Sequence, residues 1–298
     1  MDPTNPRSES EARLRTPRFP RASRYHPDWV IAGMGSATNA LWLTEWLCER
    51  LELRPGMRVL DLGCGRAISS IFLRREFGVQ VWAADLWFHP SENQQRIRDA
   101  GVADGVFPLR ADARQLPFAD EFFDVILAID SYMYFGTDDF YLQSLGRFIR
   151  PGGQLGIALS GLTREIEGEI PSPLRQWWIQ DHLWSLHTVD WWRRHWSRTG
   201  VVDIEAADTL EDGWRYWLES LRAVAPHNTA ETEAVEADAG RHIGYVRLIG
   251  RRRSDAPVFD PTLSIPPQYS EKPLLRDGSA DDARRDRAES DQGAGGAT

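Results

Sequence analysis

Short apolar runs, each ending in a polar or turn-forming residue, recur along the chain. Runs of four to eight residues rich in Val, Leu, Ile and Ala are typical of strands buried in a parallel sheet. The pattern predicts strands at residues 59–62, 79–84, 106–113, 201–207 and 242–250.

Helical periodicity fills the segments between several of these runs. Apolar residues at helical spacing predict amphipathic helices over residues 39–53, 138–148 and 187–198. Pro108 interrupts the third predicted strand, and because proline removes a ladder donor it indicates an edge strand. Strands alternating with helices predict an α/β fold.

Two glycines one residue apart follow the first predicted strand. Gly63 and Gly65 come directly after the run that contains Asp61, and Asp85 arrives 20 residues after Gly65. Glycines let the backbone approach a ligand without a Cβ, and an acid at the tip of the next strand can accept ribose hydroxyls. The spacing predicts a site for a nucleotide-like cofactor.

The residues around the glycines distinguish between cofactors. Dinucleotide-binding loops usually carry a third glycine where this chain has Ile68, and Asp61 would repel a pyrophosphate, so both residues oppose a nucleotide-binding oxidoreductase. A ligand with an ammonium and a sulfonium would be attracted by Asp61. The loop resembles the first motif of class I S-adenosylmethionine-dependent methyltransferases, with Ala67 at the position of a frequent third glycine.

Further segments match this family in order. Residues 116–118 and 122–130 resemble the lead-in and fourth strand, and residues 150–155 resemble the turn before the fifth. The resemblance covers residues 33 to about 160, and later segments are similar to bacterial small-molecule methyltransferases of the type 11-like group. It implies a Rossmann-like seven-stranded sheet of order 3-2-1-4-5-7-6 with an antiparallel last strand.

The resemblance also implies the cofactor, S-adenosyl-L-methionine, with S-adenosyl-L-homocysteine as product. Asp85 is implied to bind both ribose hydroxyls, Asp112 the adenine amino group, and the Ala113 amide a ring nitrogen. The backbone of Asp130 is implied to contact the methionine portion. The full set of implied cofactor residues is Asp61, Gly63, Cys64, Gly65, Asp85, Leu86, Asp112, Ala113, Ile129 and Asp130.

Length and composition fit one catalytic domain with polar tails. The chain has 298 residues, of which 42% are hydrophobic, enough for a substantial core. We expect a methyltransferase domain over residues 25–253 and disordered tails over residues 1–24 and 254–298. The chain shows neither the roughly 20 apolar residues of a membrane span nor a secretory signal, which predicts a cytoplasmic protein without stable membrane association.

Charge and cysteine content narrow the classes further. The net charge of −9 argues against a nucleic-acid partner, which usually requires a basic patch. Cys48 is predicted on a helix and Cys64 in the glycine loop, so no structural disulfide is expected.

Two stretches are longer than the bare fold requires. Residues 161–190 and 208–241 are predicted to be helical cap insertions above the substrate, because this fold binds ligands beyond the carboxyl ends of its strands. Met34 is predicted as the apolar contact of an N-terminal flap, with a plain loop as the alternative. An aromatic wall around the substrate, with core packing as the alternative, is predicted from Trp177, Trp178 and Trp184.

Methyl transfer is an in-line displacement, so the protein supplies positioning, desolvation and, for a weakly acidic acceptor, a base. Residues 130–133 lack the Asn/Asp-Pro-Pro-Tyr/Phe element of enzymes that methylate exocyclic amines of bases. Leu159-Ser160 stands where metal-dependent catechol methyltransferases carry Asp-Asn, so no metal is predicted. The candidate bases, each with a structural role as the alternative, are Tyr132, His182 and His187.

These observations predict a methyltransferase acting on an O, N or C atom of a small, aromatic or apolar metabolite. A cyclopropane-synthase-like lipid-modifying enzyme and a non-catalytic cofactor-binding protein are the alternatives. The lipid enzyme would need a membrane-binding surface, and the chain has no basic amphipathic helix. Cofactor turnover would exclude the binding protein. The oligomeric state stays open.

Overall fold

The structure is a computed structural model that describes residues 12–178 and 183–260. The sheet and its helices belong to one compact unit, which ends at Val258. Seven strands form a single sheet of order β3-β2-β1-β4-β5-β7-β6. They are β1 Arg58–Leu62, β2 Gln80–Asp85, β3 Val106–Arg110, β4 Phe123–Ile129, β5 Ile149–Leu162, β6 Val202–Thr209 and β7 Ile243–Arg252.

The strand directions match the predicted fold. Strands β1 to β5 pair in parallel, whereas β7 runs antiparallel to both of its neighbours, β5 and β6. The predicted Rossmann-like sheet with an antiparallel last strand is therefore confirmed. Pro108 lies in β3 opposite Ala83, and β3 is an edge strand, so no strand needs the missing proline N–H.

Helices cover the sheet and end at local signals. Within the described residues, the bounded helices are α1 Pro27–Gly33, α2 Ala40–Cys48, α3 Ile68–Phe77, α4 Pro90–Asp99, α5 Tyr141–Gly146, α6 Val189–Thr199, α7 Gly213–Val224 and α8 Thr229–Asp238. Asn39 caps α2, since its side-chain oxygen accepts the N–H groups of Leu41 and Trp42 at 3.1 and 3.2 Å. Three-residue 3₁₀ turns occur at Ala22–Arg24, Tyr132–Tyr134 and Ser172–Leu174.

Residues 12–24 pack on the domain, which corrects the expected disordered N-terminal tail over this part. Phe19 is fully buried, with its ring 5.9 Å from that of Trp42. The Glu45 carboxylate accepts the N–H of Ala22 at 2.7 Å. One buried aromatic ring and a bonded backbone hold a segment whose Pro- and Arg-rich composition indicated disorder.

The start of the expected C-terminal tail also follows the domain. The Arg253 N–H donates to the Val201 carbonyl at 3.0 Å, and Val258 packs against the core. The other parts of the two expected tails, residues 1–11 and 261–298, lie outside the described residues.

The two predicted insertions form helical structure beside β7. Helix α7 packs on β7, where the Trp217 ring stacks on Tyr245 with centroids 5.3 Å apart. Helix α8 packs against the turn that contains Leu174, which is fully buried. Ser220 of α7 donates to the carbonyl of Ala37, which ties this unit to the segment before α2. Within the described part of the chain, no helix is long and apolar enough to cross a membrane.

Candidate active site

A cavity of about 450 Å³ opens beyond the carboxyl ends of β1, β2 and β4. The segment between α1 and α2 closes one side of it with Gly33, Gly35, Ser36 and Thr38. The other lining residues come from the strand ends, the loops that follow them and the starts of α2 and α3. They are Ala40, Leu62, Gly63, Cys64, Gly65, Arg66, Ile68, Ser69, Ala84, Asp85, Leu86, Trp87, Phe88, Ala111, Asp112, Ala113, Arg114, Ile129, Asp130, Ser131, Tyr134 and Phe135.

The loop after β1 is shaped for close approach of a ligand. Gly63 has a φ of +77°, and a Cβ there would lie 2.4 Å from the Cβ of Ser131. The N–H groups of Gly63 and Cys64 both donate to the Ala84 carbonyl of β2, at 2.8 and 3.1 Å. Ser131 in turn donates to the carbonyl of Leu62 at 2.7 Å. These contacts hold the loop open and explain why residue 63 must be glycine.

Asp85 connects the loops that follow β1 and β2. One carboxylate oxygen accepts the Gly65 N–H at 2.8 Å, and the other accepts the N–H groups of Trp87 and Phe88 at 2.8 and 3.0 Å. The residue is 7% exposed and lines the cavity. The three N–H groups fix the Asp85 carboxylate in place. Its remaining lone pairs can accept hydroxyl hydrogens, as the implied ribose contact requires.

Asp61 lies behind the cavity wall, not in it. Its side chain is fully buried, and one oxygen accepts the hydroxyls of Ser69 and Ser70, each at 2.6 Å. Burial raises the pKa of Asp61 to about 6, against the lowering effect of the two serines. Its other oxygen, Oδ1, has no hydrogen-bond partner among the described residues. Ser69, which donates to Asp61, itself lines the cavity.

The β3 end of the cavity offers separate acceptor and donor groups. Asp112 holds Arg114 at 2.7 Å, and hydrogen bonds from Arg114 lower the pKa of that carboxyl. The Ala113 carbonyl accepts the hydroxyl of Tyr141 at 3.0 Å, while its amide has no partner among the described residues. A carboxylate beside an unpaired amide is the pair implied for adenine.

The β4 end turns sharply into the cavity. Asp130 has a φ of +48°, which is uncommon outside glycine. Its carboxylate accepts the Ser160 N–H at 2.9 Å and, at 3.5 Å, the hydroxyl of Ser36. The side chain thereby fixes β5 and the segment before α2, which leaves the backbone of Ile129 and Asp130 to face the cavity, as the resemblance implies for the methionine portion.

Two of the predicted catalytic side chains, those of Tyr132 and His187, do not line the cavity. Tyr132 is fully buried among aromatic rings, including Trp192 and Trp196 at 5.6 and 5.7 Å. His187 stacks on Trp191 at 3.7 Å, shares a hydrogen bond with Glu165, and has its pKa lowered by burial. Tyr132 and His187 are therefore corrected to packing residues.

The predicted substrate contacts also lie elsewhere. Trp177 packs edge-on against Trp217 at 5.8 Å and against Trp178 at 6.3 Å, so the first insertion folds onto α7 instead of across the cavity. Trp184 is 52% exposed and is not among the residues that line the cavity. Met34 is buried between two glycines that do line the cavity. His182, the remaining predicted base, lies outside the described residues.

The cavity mouth instead carries aromatic residues that sequence reasoning did not single out. Trp87 and Tyr134 are 73% and 55% exposed, and their ring centroids lie 5.6 Å apart. Leu86, which was predicted as a cofactor residue, is 43% exposed beside them. The signal in the sequence was the run Leu86-Trp87-Phe88 directly after Asp85.

Several observations fit S-adenosylmethionine to this cavity. The volume suits one small ligand, and the glycine loop presents backbone where a side chain would block approach. Asp85 and the Ala113 amide stand ready for a nucleoside, and the unpartnered Asp61 oxygen lies beneath the loop. The donor set matches a nucleoside with a positively charged tail.

Comparison with known proteins also identifies methyltransferases as relatives of this chain. A family model described as a methyltransferase domain matches residues 59–153. The ubiquinone/menaquinone biosynthesis C-methyltransferase UbiE of Vibrio vulnificus (strain YJ016) is 34% identical over 220 residues, which cover 73% of this chain and 76% of that protein. The 27-O-demethylrifamycin SV methyltransferase of Amycolatopsis mediterranei (strain S699) is 28% identical over 229 residues, 70% of this chain and 82% of that protein.

A shorter match extends to methyltransferase GfsG of Streptomyces halstedii, 40% identical over 121 residues, 39% of this chain. This chain spans 42% of the length of GfsG. The crystal structure of geranyl diphosphate C-methyltransferase from Streptomyces coelicolor A3(2), with Mg²⁺, geranyl diphosphate and S-adenosyl-L-homocysteine, superposes with a TM-score of 0.57 at 20% identity, covering 70% of this chain and 79% of that one. The structural likeness matches the predicted fold, and the UbiE protein aligns over most of both chains. The chain therefore belongs to the class I S-adenosylmethionine-dependent methyltransferases.

Proposed function

We propose that this methyltransferase acts on a small acceptor with an aromatic or apolar ring system, and that the acceptor binds at the cavity mouth. The observation that carries the proposal is the exposed aromatic pair Trp87 and Tyr134 at the rim. Two exposed rings in contact at the rim of a cavity form an apolar patch of the kind that marks ligand-binding surfaces, and flat rings stack on flat ligands. A cavity of about 450 Å³ suits the cofactor, so the acceptor belongs outside it, against these rings.

The chemistry of the lining restricts the acceptor further. Among the described residues that line the cavity there is no histidine. Asp112 is occupied by Arg114, and Asp130 by the Ser160 amide. Burial, with the negative charge of Asp130, raises the pKa of Tyr134, so its hydroxyl stays protonated and acts as a hydrogen-bond donor.

Without a protein base, the acceptor must itself carry an atom that is nucleophilic enough to attack the methyl group. Phenols, hydroquinones and enolisable carbonyl compounds meet this requirement, because they are far more acidic than alkyl alcohols. A fraction ionises without a protein base, and the proton passes to water. One relative supports such a class, since it is a C-methyltransferase of ubiquinone and menaquinone biosynthesis, whose products are quinones. We therefore extend the proposal to a phenolic or enolic acceptor.

The residues divide the work in a simple way. Bound S-adenosylmethionine supplies a methyl group on a positively charged sulfur, which the acceptor atom displaces in line. Asp85, Ala113 and the loop after β1 would hold the adenosine portion. Trp87 and Leu86 would cover the acceptor and exclude water, while the protonated Tyr134 would orient its oxygen. The protein thereby contributes proximity and desolvation.

The test is methyl transfer from a methyl-labelled cofactor to a panel of phenols, hydroquinones and 1,3-dicarbonyl compounds, compared with primary amines and phospholipid vesicles. We expect labelled product only in the first group. For an accepted compound, Trp87→Ala should raise KM by about 10-fold or more, on the scale of losing one aromatic contact in a binding site.

Trp184→Ala is the matched control, since it removes an equally large exposed indole that does not line the cavity. It should leave KM unchanged. Transfer confined to amines would refute the phenolic or enolic class, and transfer to vesicles would favour the lipid-modifying alternative. Equal effects of the two tryptophan variants would refute acceptor binding at the mouth.

A further inference from the structure

Arg66 is a cation in the cavity wall that pairs with no carboxylate in the described part of the chain. It follows Gly65 in the loop before α3 and lines the cavity. Its guanidinium lies 5.0 Å from the centre of the Phe88 ring. Among the described residues, no carboxylate forms an ion pair with it, and its Nε is buried without a hydrogen-bond partner. A half-buried guanidinium in this condition is unusual for a structural residue.

A second arginine adds to the positive charge at this point. Arg96 of α4 donates to the carbonyl of Ala32 at 3.1 Å and lies beside the cavity at Gly33. Burial and then the charge of Arg66 lower the pKa of Arg96, so the two guanidinium groups repel each other. An anion in the cavity would relieve this repulsion.

The position of Arg66 identifies the part of the ligand it faces. The adenine and ribose groups belong to the β3 and β2 side, at Asp112 and Asp85. The rest of the cofactor must extend toward the loop after β1 and the start of α3, where Arg66 lies. Asp61 precedes this loop, but its side chain is buried behind the cavity wall. Arg66 lines the cavity itself, and the carboxylate of an amino-acid tail would neutralise its charge.

We propose that Arg66 binds the carboxylate of the cofactor's methionine tail and so makes the enzyme select S-adenosylmethionine over analogues that lack this carboxylate. The guanidinium can bond a carboxylate with two parallel N–H groups, and the Phe88 ring beneath it fixes its plane. The inference concerns the cofactor, so it does not depend on the identity of the acceptor.

The test compares the affinities of S-adenosylmethionine and decarboxylated S-adenosylmethionine by calorimetry without an acceptor. We expect Arg66→Gln to weaken S-adenosylmethionine by about 10- to 100-fold, the range for losing a hydrogen-bonded charge pair. The decarboxylated analogue should change by no more than about 3-fold, so the preference of the native enzyme should largely disappear. Arg66→Lys should retain part of that preference, because it keeps the charge but not the fork.

Arg98→Gln is the matched control, since it removes an exposed arginine from the end of α4, and both affinities should be unchanged. Melting temperatures of all variants show whether the loop still folds. Equal weakening of both ligands by Arg66→Gln would reduce Arg66 to a loop-supporting residue. Unchanged binding of S-adenosylmethionine in a folded Arg66→Gln variant would also overturn the proposal.

Discussion

Replacing Asp61 by asparagine should make the stability of the cofactor-free protein less sensitive to pH and should weaken cofactor binding. Asp61 is fully buried, and burial raises its pKa from an ordinary 3.8 to about 6. Because the folded state holds the proton of Asp61 more tightly than the unfolded state does, Asp61 contributes its full stabilisation below about pH 4. This contribution is lost as the pH rises through about 6. At about 1.4 kcal/mol for each unit of pKa, the complete loss is about 3 kcal/mol.

The asparagine side chain would not titrate, so the difference between variant and native protein measures this loss directly. Asparagine can still accept the hydroxyls of Ser69 and Ser70, but its amide nitrogen would occupy the place of the unpartnered Oδ1. That cost is independent of pH and offsets part of the gain by about 1 to 3 kcal/mol. The prediction therefore concerns the change with pH: the stability of Asp61→Asn relative to native should rise by about 2 to 3 kcal/mol between pH 4 and pH 8.

Urea unfolding at several pH values measures this difference, and calorimetry at pH 8 measures the affinity for S-adenosylmethionine, which should fall by about 10-fold. Asp203→Asn is the control, because its side chain is 75% exposed. A constant stability difference from pH 4 to pH 8 would refute the raised pKa. Undiminished cofactor affinity would refute an electrostatic role for Asp61 beneath the loop.

The structure supports three further predictions. Asp85→Ala should weaken S-adenosylhomocysteine by about 1.5 to 3 kcal/mol, because it removes a charged acceptor; unchanged calorimetric affinity in a folded variant would contradict the ribose assignment. Phe19→Ala should lower stability by about 3 to 5 kcal/mol in urea unfolding, as for other buried aromatic residues; a change below about 1 kcal/mol would restore the expected tail. Tyr132→Phe and His187→Gln should leave the pH profile of kcat unchanged; loss of one limb of the profile would return that residue to catalysis.

Much of the fold was predictable because its signals are local. Apolar runs reported the buried parallel strands, and Pro108 reported the edge of the sheet. The carboxyl ends of parallel strands meet at one edge. Residues read one strand at a time, such as Gly63, Asp85 and Asp112, therefore arrive together at the cavity. The implied cofactor residues needed no knowledge of tertiary packing, except that Asp61 lies behind the wall.

Long-range packing decided what the sequence could not predict. The sequence around Trp177 and Trp178 is the same whether these tryptophans line a substrate site or pack on α7. Only the path of the insertion in the folded chain decides between these two roles. Phe19 lies in a Pro- and Arg-rich segment, where one buried ring gives no periodicity. Tyr132 follows β4, and the His187 carbonyl accepts the N–H of Leu162 at the end of β5, yet both side chains pack against tryptophans of α6.

The aromatic mouth illustrates why acceptor recognition lies beyond motif analysis in this fold. Trp87 follows β2 and Tyr134 follows β4, two strands that are separated by β1 and do not pair. The two rings lie 5.6 Å apart although they come from loops that no sequence motif connects. Under the proposed function, these two loop positions set the choice of acceptor, while the cofactor is held by other residues of the cavity.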